Sequence, residues 1–268
     1  MKDKLAEIMA AKEKEISSII RPVREGELTR LAENASHSFR LKEQIESNDH
    51  LSVIAEIKRR SPSAGVIAKN IKATDQAIQY YNAGADALSI LTEKTYFGGE
   101  MRDLWQVTDL LHDHQRSIPC LRKDFMLHPI QVVEAAEAGA SAILIIVRAL
   151  ADDCIHRLYD AANLAGLDSL FEIHCEAELE RALDCDAKII GVNNRDLKDF
   201  HIDLSLSESL IPQISNDVIS ISESGIRNKK DAIRVCEAGA RAILVGETLM
   251  KENMLDEFIP SLQHCRSR

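Results

Sequence analysis

Ala238-Gly239-Ala240-Arg241-Ala242-Ile243-Leu244-Val245-Gly246 is a helix stop followed by a strand. Glycine takes the left-handed conformation that ends a helix, small alanines admit close packing, and a short aliphatic run has the length of a buried strand. The theme occurs twice earlier, at Ala83-Gly84-Ala85-Asp86-Ala87-Leu88-Ser89-Ile90-Leu91 and at Ala138-Gly139-Ala140-Ser141-Ala142-Ile143-Leu144-Ile145-Ile146. Each copy follows a helical pattern, as in Asp75-Gln76-Ala77-Ile78-Gln79-Tyr80-Tyr81. Helix, glycine stop and strand make half of a βα unit, so three copies predict alternating β/α architecture around a parallel sheet.

Strands are expected near 52–57, 86–91, 118–122, 141–146, 168–173, 188–192, 218–222 and 241–245. Helices are expected near 73–83, 102–114, 129–138, 151–165, 175–184, 204–211, 229–238 and 254–264. This alternation predicts an α/β fold, a single (β/α)8 TIM barrel. A doubly wound open sheet is the alternative, but its first turn should read G-x-G-x-x-G, and Lys58 to Gly65 does not. The first 50 residues precede this count. Leu5, Ile8, Met9, Ile16, Ile19 and Ile20 fall at helical spacing, and Leu28 to Ile45 gives a second, weaker helical signal. Too few apolar residues are present there for a second core. The expected division is therefore an N-terminal helical extension over 1–50, packed on a catalytic barrel over 51–268.

The 268 residues suffice for one barrel, and 45% apolar against 4% aromatic residues means an aliphatic core. A net charge of -10 argues against a nucleic-acid partner, which needs a basic footprint. No apolar stretch approaches the ~18 residues that span a bilayer, so no membrane association is expected. Met1-Lys2-Asp3-Lys4 leads into an acidic amphipathic segment, unlike a signal peptide. Cys120, Cys154, Cys175, Cys185, Cys236 and Cys265 form no C-x-x-C pair, so reduced, mostly buried thiols and a cytoplasmic location are expected. His112 and His114 flank Asp113 on a polar stretch and read as a solvated helix face, with no metal site. Nothing in the pattern demands self-association, and a monomer is the default expectation.

The chemistry lies where the apolar runs stop. Every strand of a closed parallel barrel ends on one face, so the groups at those ends converge on one pocket. Ser52-Val53-Ile54-Ala55 runs into Glu56-Ile57-Lys58, whose period-two spacing points Glu56 and Lys58 to the same side. The loop Ser61-Pro62-Ser63-Ala64-Gly65 that follows is either a lid or a plain connection. Leu121 leads into Arg122 and Lys123, one facing in and the other out; Lys123 is favoured inward, although alternation alone does not fix the phase. Glu172 ends the fifth strand, where an apolar surround would raise its pKa and let it move protons near neutrality. A lysine among other cations would have a lowered pKa and act as its acid partner, the alternative for such a pair being a buried structural salt bridge. Asn193 and Arg195 follow strand six, the arginine suited to gripping a carboxylate or phosphate. Ser224, Gly225 and Gly246 stand after strands seven and eight, where barrels commonly build a phosphate site, and Thr248-Leu249-Met250 could begin the accompanying short helix.

Together these residues resemble the indole-3-glycerol-phosphate synthase family, over essentially the whole chain. Ala55-Glu56-Ile57-Lys58-Arg59-Arg60-Ser61-Pro62-Ser63 is similar to the family's E-x-K-x-x-S-P-S signature. Leu121–Phe125, Phe171-Glu172-Ile173-His174, Gly191–Leu197, Ser222–Ile226 and Leu244–Met250 follow in the family's order and spacing. The resemblance implies ring closure of 1-(2-carboxyphenylamino)-1-deoxyribulose 5-phosphate to indole-3-glycerol phosphate, with loss of carbon dioxide and water and no cofactor. It implies Lys123 as the general acid of ring closure and Glu172 as acid or base of the dehydration. Glu56 and Asn193 would orient the neighbouring groups. Lys58 would neutralise substrate charge and could serve as a second acid, and Glu223 would support the polar network. Arg195, Phe97, Leu144 and Ser61 would contact the substrate, the arginine on its carboxylate side and Phe97 and Leu144 as a wall for its ring. Ser224, Gly225, Gly246 and Glu247 would hold the phosphate. Arg60 and Phe171 depart from the family's usual residues, with an altered first loop and crowding beneath Glu172 as the expected consequences. The competing readings are another phosphosugar barrel enzyme, such as a phosphoribosylanthranilate isomerase, and a non-catalytic barrel subunit.

Overall fold

The computed structural model describes residues 4–34, 40–68, 71–113, 118–196 and 201–264. Eight strands close into a parallel barrel: β1 (Ser52–Ile57), β2 (Ala87–Leu91), β3 (Cys120–Lys123), β4 (Ala142–Ile146), β5 (Asp168–Ile173), β6 (Ile189–Asn193), β7 (Ile219–Glu223) and β8 (Ala242–Val245). Each pairs with its neighbours in sequence, and β8 closes on β1 in the register Ile54↔Leu244. The helices between them lie where the glycine stops predict, with Gly84, Gly139 and Gly239 at φ of 89°, 72° and 109°. An added Cβ is unfavourable in that left-handed region, which is why glycine recurs there.

Side-chain alternation sorts the strands into two apolar layers. Ile54, Ala87, Leu121, Ala142, Leu144, Leu170, Ile189, Ile219, Ile221, Ala242 and Leu244 fill the barrel interior. Val53, Ala55, Ile90, Ile143, Ile145, Phe171, Ile190, Ile243 and Val245 belong to the larger core shared with the surrounding helices. Phe171 therefore does not crowd the space beneath Glu172. It faces the helices and meets Tyr159 edge-on, with ring centroids 5.2 Å apart.

The chain before β1 forms three helices, α1 (Lys4–Ile16), α2 (Glu25–Asn34) and α3 (Leu41–Ser47). The second helical signal thus resolves into two helices, α2 and α3. Leu41 and Ile45 of α3 join the interior core, while Arg40 pairs with Asp168 at 2.9 Å at the start of β5, so α3 closes the barrel floor. The opposite end is covered by α1. There Lys12, 2% exposed, pairs at 3.0 Å with the equally buried Asp124, immediately after β3, and Tyr96 Oη donates to Glu7 at 2.9 Å.

Cys120, Cys154, Cys175 and Cys185 carry free thiols, whereas Cys236 is disulfide-bonded, a departure from the expected set of reduced thiols. His112 is exposed, as expected of a solvated face. His114, Leu197 and Cys265 lie outside the described residues. No helix among the described residues is long and apolar enough to cross a membrane.

Candidate active site

At the C-terminal ends of the strands the interior changes from apolar to charged. Glu56, Lys123, Glu172, Asn193 and Glu223 stand at the last or next-to-last position of β1, β3, β5, β6 and β7, facing inward, and they line one cavity of about 660 Å³. Lys58, Ser61, Phe97, Leu144, Arg195, Ser224, Gly225, Gly246 and Glu247 line the same cavity, so every catalytic, substrate and phosphate residue that the family resemblance implies meets there. The volume is in the range of small-molecule sites.

Lys123 occupies the centre. Its ammonium donates to Glu172 Oε2 at 2.8 Å and to Glu223 Oε2 at 2.5 Å. Arg122 points the other way, into the helix layer, where it donates to the Gln131 carbonyl at 2.6 Å and pairs with Asp124 at 3.0 Å. Lys58 Nζ donates to Glu56 Oε1 on the β1 side of the cavity. Two glycines make room for these carboxylates. A Cβ on Gly191 would stand 2.1 Å from Glu223 Oε1, and one on Gly246 would stand 2.3 Å from Glu56 Oε1.

Burial and pairing set the protonation states. Burial alone pushes Lys123 down, but the carboxylates of Glu172, Glu223 and Glu56 outweigh it and hold the ammonium above the usual lysine range. Burial likewise pushes Glu172 up, yet the Lys123 charge, the His174 ring and hydrogen bonds from Lys123 and Asn193 bring it below the ordinary carboxylate range. Both directions are opposite to those expected from sequence. An apolar surround and clustered cations raise glutamate and lower lysine only when the two are not in contact. Glu223 is the carboxyl that moves up, to about 7, because burial and the charges of Glu172 and Glu56 together exceed the pull of Lys123. Its second oxygen, Oε1, has no hydrogen-bond partner among the described residues.

Loops shape the mouth. Arg59 anchors the first loop by a forked pair with Asp103 at 2.6 and 2.7 Å, and Arg60 Nη2 reaches the Lys94 carbonyl at 3.2 Å. Arg60 thereby ties the first loop to the loop after β2. Arg195 spans the opening: Nη1 donates to Ser63 Oγ at 2.9 Å and Nη2 lies 3.7 Å from Glu247. The Glu247 carboxylate also pairs with Lys251 at 2.6 Å, so only its backbone N–H suits an anion. Ser224 and Gly225 take φ of 63° and 90°. A β-carbon at Gly225 would meet Ile202 Cγ2 at 2.7 Å, which restricts the position to glycine. Phe97 packs against Phe125, centroids 6.0 Å apart, and with Leu144 forms an apolar wall.

Some contacts at the site carry little signal in the sequence. Phe125 and Ser63 line the cavity within motifs whose other residues bear the charges. Asn194 Nδ2 donates to Ser222 Oγ and to the carbonyls of Glu223 and Ser224 at 2.9–3.0 Å, fixing the end of β7 against β6. A run of two asparagines after an aliphatic strand was the available signal.

Comparison with known proteins agrees with this architecture. Residues 5–262 match the family described as indole-3-glycerol phosphate synthase. A protein of that name from Opitutus terrae is 58% identical over 252 residues, 94% of this chain and 95% of that protein. Another, from Oceanobacillus iheyensis, is 45% identical over 221 residues, 82% of each. Among solved structures, the N-acetylmannosamine-6-phosphate 2-epimerase of Clostridium perfringens superposes with a TM-score of 0.60 over 80% of this chain and 92% of that one. At 14% identity that likeness concerns the fold alone.

Proposed function

The chain belongs to the indole-3-glycerol phosphate synthase family, and from that premise we propose how its strand-end residues divide the reaction. The enzyme closes the ring of 1-(2-carboxyphenylamino)-1-deoxyribulose 5-phosphate, releasing carbon dioxide and water and forming indole-3-glycerol phosphate. The reaction balances with no external oxidant or reductant, which supports the reading of a cofactor-free lyase.

Lys123 is the general acid of ring closure. The carboxylate-bearing ring carbon attacks the ketose carbonyl, and the developing alkoxide takes the lysine proton. The observation that carries this assignment is the suspension of Lys123 between Glu172 and Glu223, which keeps it protonated and aimed at the cavity. Decarboxylation then returns the ring to aromaticity. In the dehydration the carbinol hydroxyl leaves with a proton from Lys58, while ionised Glu172 accepts the proton lost from the adjacent carbon. Glu56 holds Lys58, Asn193 holds Glu172, and Glu223, its pKa raised to about 7, exchanges a proton near neutrality beside Lys123.

Arg195 grips the carboxylate of the substrate, exchanging its contact with Ser63 for the ligand. Phe97 and Leu144 receive the aromatic ring, with Ser61 at the loop. The backbone N–H groups of Ser224, Gly225, Gly246 and Glu247 take the phosphate. The decisive test is incubation with the carboxyphenylamino substrate, following indole fluorescence.

The partner is this phosphosugar alone, with no nucleic acid, no membrane and no second subunit required; a monomeric mass in light scattering checks the last point. A cytoplasmic location is supported by four free thiols, while the disulfide at Cys236 weighs against it, and cell fractionation decides between them.

A further inference from the structure

Behind Glu172 the strand ends at Ile173, and the chain bends at His174, whose ring turns back toward the Glu172 carboxylate. The His174 side chain is 2% exposed and stands between two carboxylates. Its Nε2 is 3.6 Å from Glu172 Oε1, and its Nδ1 is 3.4 Å from Glu178 Oε2. Among the described residues neither ring nitrogen has a well-aligned hydrogen bond. Glu178 comes from the helix Glu176–Asp184 and is fixed from two further directions: Oε2 accepts the His174 backbone N–H at 2.7 Å, and Oε1 accepts Arg148 Nε at 2.9 Å. Among the described residues the charged groups around the ring are Glu172 on the preceding strand β5, Glu178 on the following helix, Arg148 behind Glu178 after β4, and Lys123 beyond Glu172.

A neutral imidazole has one N–H and one lone pair. In this position its lone pair would face a carboxylate at close range. The imidazolium instead offers an N–H to both carboxylates, and a movement of less than about 1 Å closes both hydrogen bonds. Glu178 is the rigid side of the pair, because Arg148 and the backbone hold it. Glu172 is the side that must stay aimed at the substrate.

We propose that His174 is a positioning residue for Glu172: clamped by Glu178 and Arg148, its imidazolium holds the Glu172 carboxylate in place and supplies a second positive charge behind it. The second charge matters when Lys123 turns to the substrate. At that moment Glu172 loses its counter-ion, and burial would otherwise drive it to take up a proton before the dehydration. His174 keeps it ionised through that interval. The inference rests on the reading of Glu172 as the carboxylate of dehydration.

The test is steady-state kinetics of His174→Leu across pH, beside His174→Gln, Glu178→Gln and Glu172→Gln, each checked for native far-ultraviolet circular dichroism. His174→Leu should lower kcat about tenfold, the loss expected for one charge-assisted hydrogen bond, with KM within about twofold because the ring touches no substrate. Its acidic limb of kcat should move to higher pH by about one unit. His174→Gln, which keeps a donor, should recover part of kcat. Glu178→Gln loosens the clamp without altering the ring and should move the limb in the same direction by less. This variant decides the matter if His174→Leu fails to fold. An unmoved acidic limb in both His174→Leu and Glu178→Gln overturns the proposal. If Glu172→Gln retains wild-type turnover, the reading of Glu172 fails and the proposal with it. An inactive Glu172→Gln beside a normal His174→Leu overturns the proposal alone.

Discussion

Glu172 Oε2 accepts a hydrogen bond from Lys123 Nζ at 2.8 Å, joining the ends of β5 and β3 across the barrel mouth. The bond places the proposed acid and the proposed base of one reaction in contact. It also leaves Glu223, on the other side of the same ammonium at 2.5 Å, as the less stabilised carboxylate. Glu172 has Asn193 and His174 as further partners, whereas one oxygen of Glu223 has none among the described residues. That asymmetry decides which carboxyl holds a proton.

Glu223 should reveal this in the pH dependence of stability. Its folded pKa of about 7 lies above the 4.5 of the free side chain, so between those values the folded state binds the extra proton. Stability contributed by that proton is complete below the unfolded pKa and is lost as pH rises through the folded one. Glu223→Gln never ionises, so its stability relative to wild type should improve between pH 5 and 8 by roughly 2–3 kcal/mol, the size of such a shift. Denaturant unfolding of both proteins at the two pH values measures the change; a flat or reversed difference refutes it.

The junction of α1 with the barrel gives a second test. Lys12 and Asp124 are both buried, and removing one partner leaves the other's charge uncompensated. Lys12→Met should lower unfolding free energy by about 3 kcal/mol, at the low end for broken buried pairs because Arg122 still neutralises Asp124. Equilibrium denaturation at neutral pH checks it, and a loss below about 1 kcal/mol would show that the pair is not what holds α1 to the barrel.

Gly246→Ala should act on binding. The new Cβ would sit 2.3 Å from Glu56 Oε1 and 3.1 Å from Lys58 Nζ, forcing that pair to move and crowding the proposed phosphate N–H groups. KM should rise about tenfold or more, with a smaller fall in kcat. An unchanged KM would remove Gly246 from the phosphate site.

Chelation is the simplest prediction. Acid–base chemistry on the substrate as written calls for no metal, so excess EDTA should leave turnover unchanged. A loss restored by adding a divalent cation would contradict the proposed chemistry.

The barrel was legible because its strands are short aliphatic runs that end at glycines or charges. Alternation then fixed which residues share a face, as with Glu56 and Lys58. It left the phase of β3 open, since Arg122 and Lys123 are both cationic. The choice is made by distant partners: Gln131 and Asp124 for the arginine, Glu172 and Glu223 for the lysine. The protonation of Glu172 is hidden from the sequence for the same reason. Burial can be inferred from an apolar run, but the compensating ammonium belongs to another strand. The break between α2 and α3 and the ion pair of Lys12 with Asp124 were equally hidden, because each depends on which end of the barrel a helix covers.

The most direct measurement is turnover of 1-(2-carboxyphenylamino)-1-deoxyribulose 5-phosphate by the wild-type chain and by Lys123→Ala. The wild type should produce indole-3-glycerol phosphate, and the folded variant should be slower by about 10²–10⁴, the contribution of a positioned general acid. A natively folded Lys123→Ala protein that forms the product at close to the wild-type rate would contradict the account.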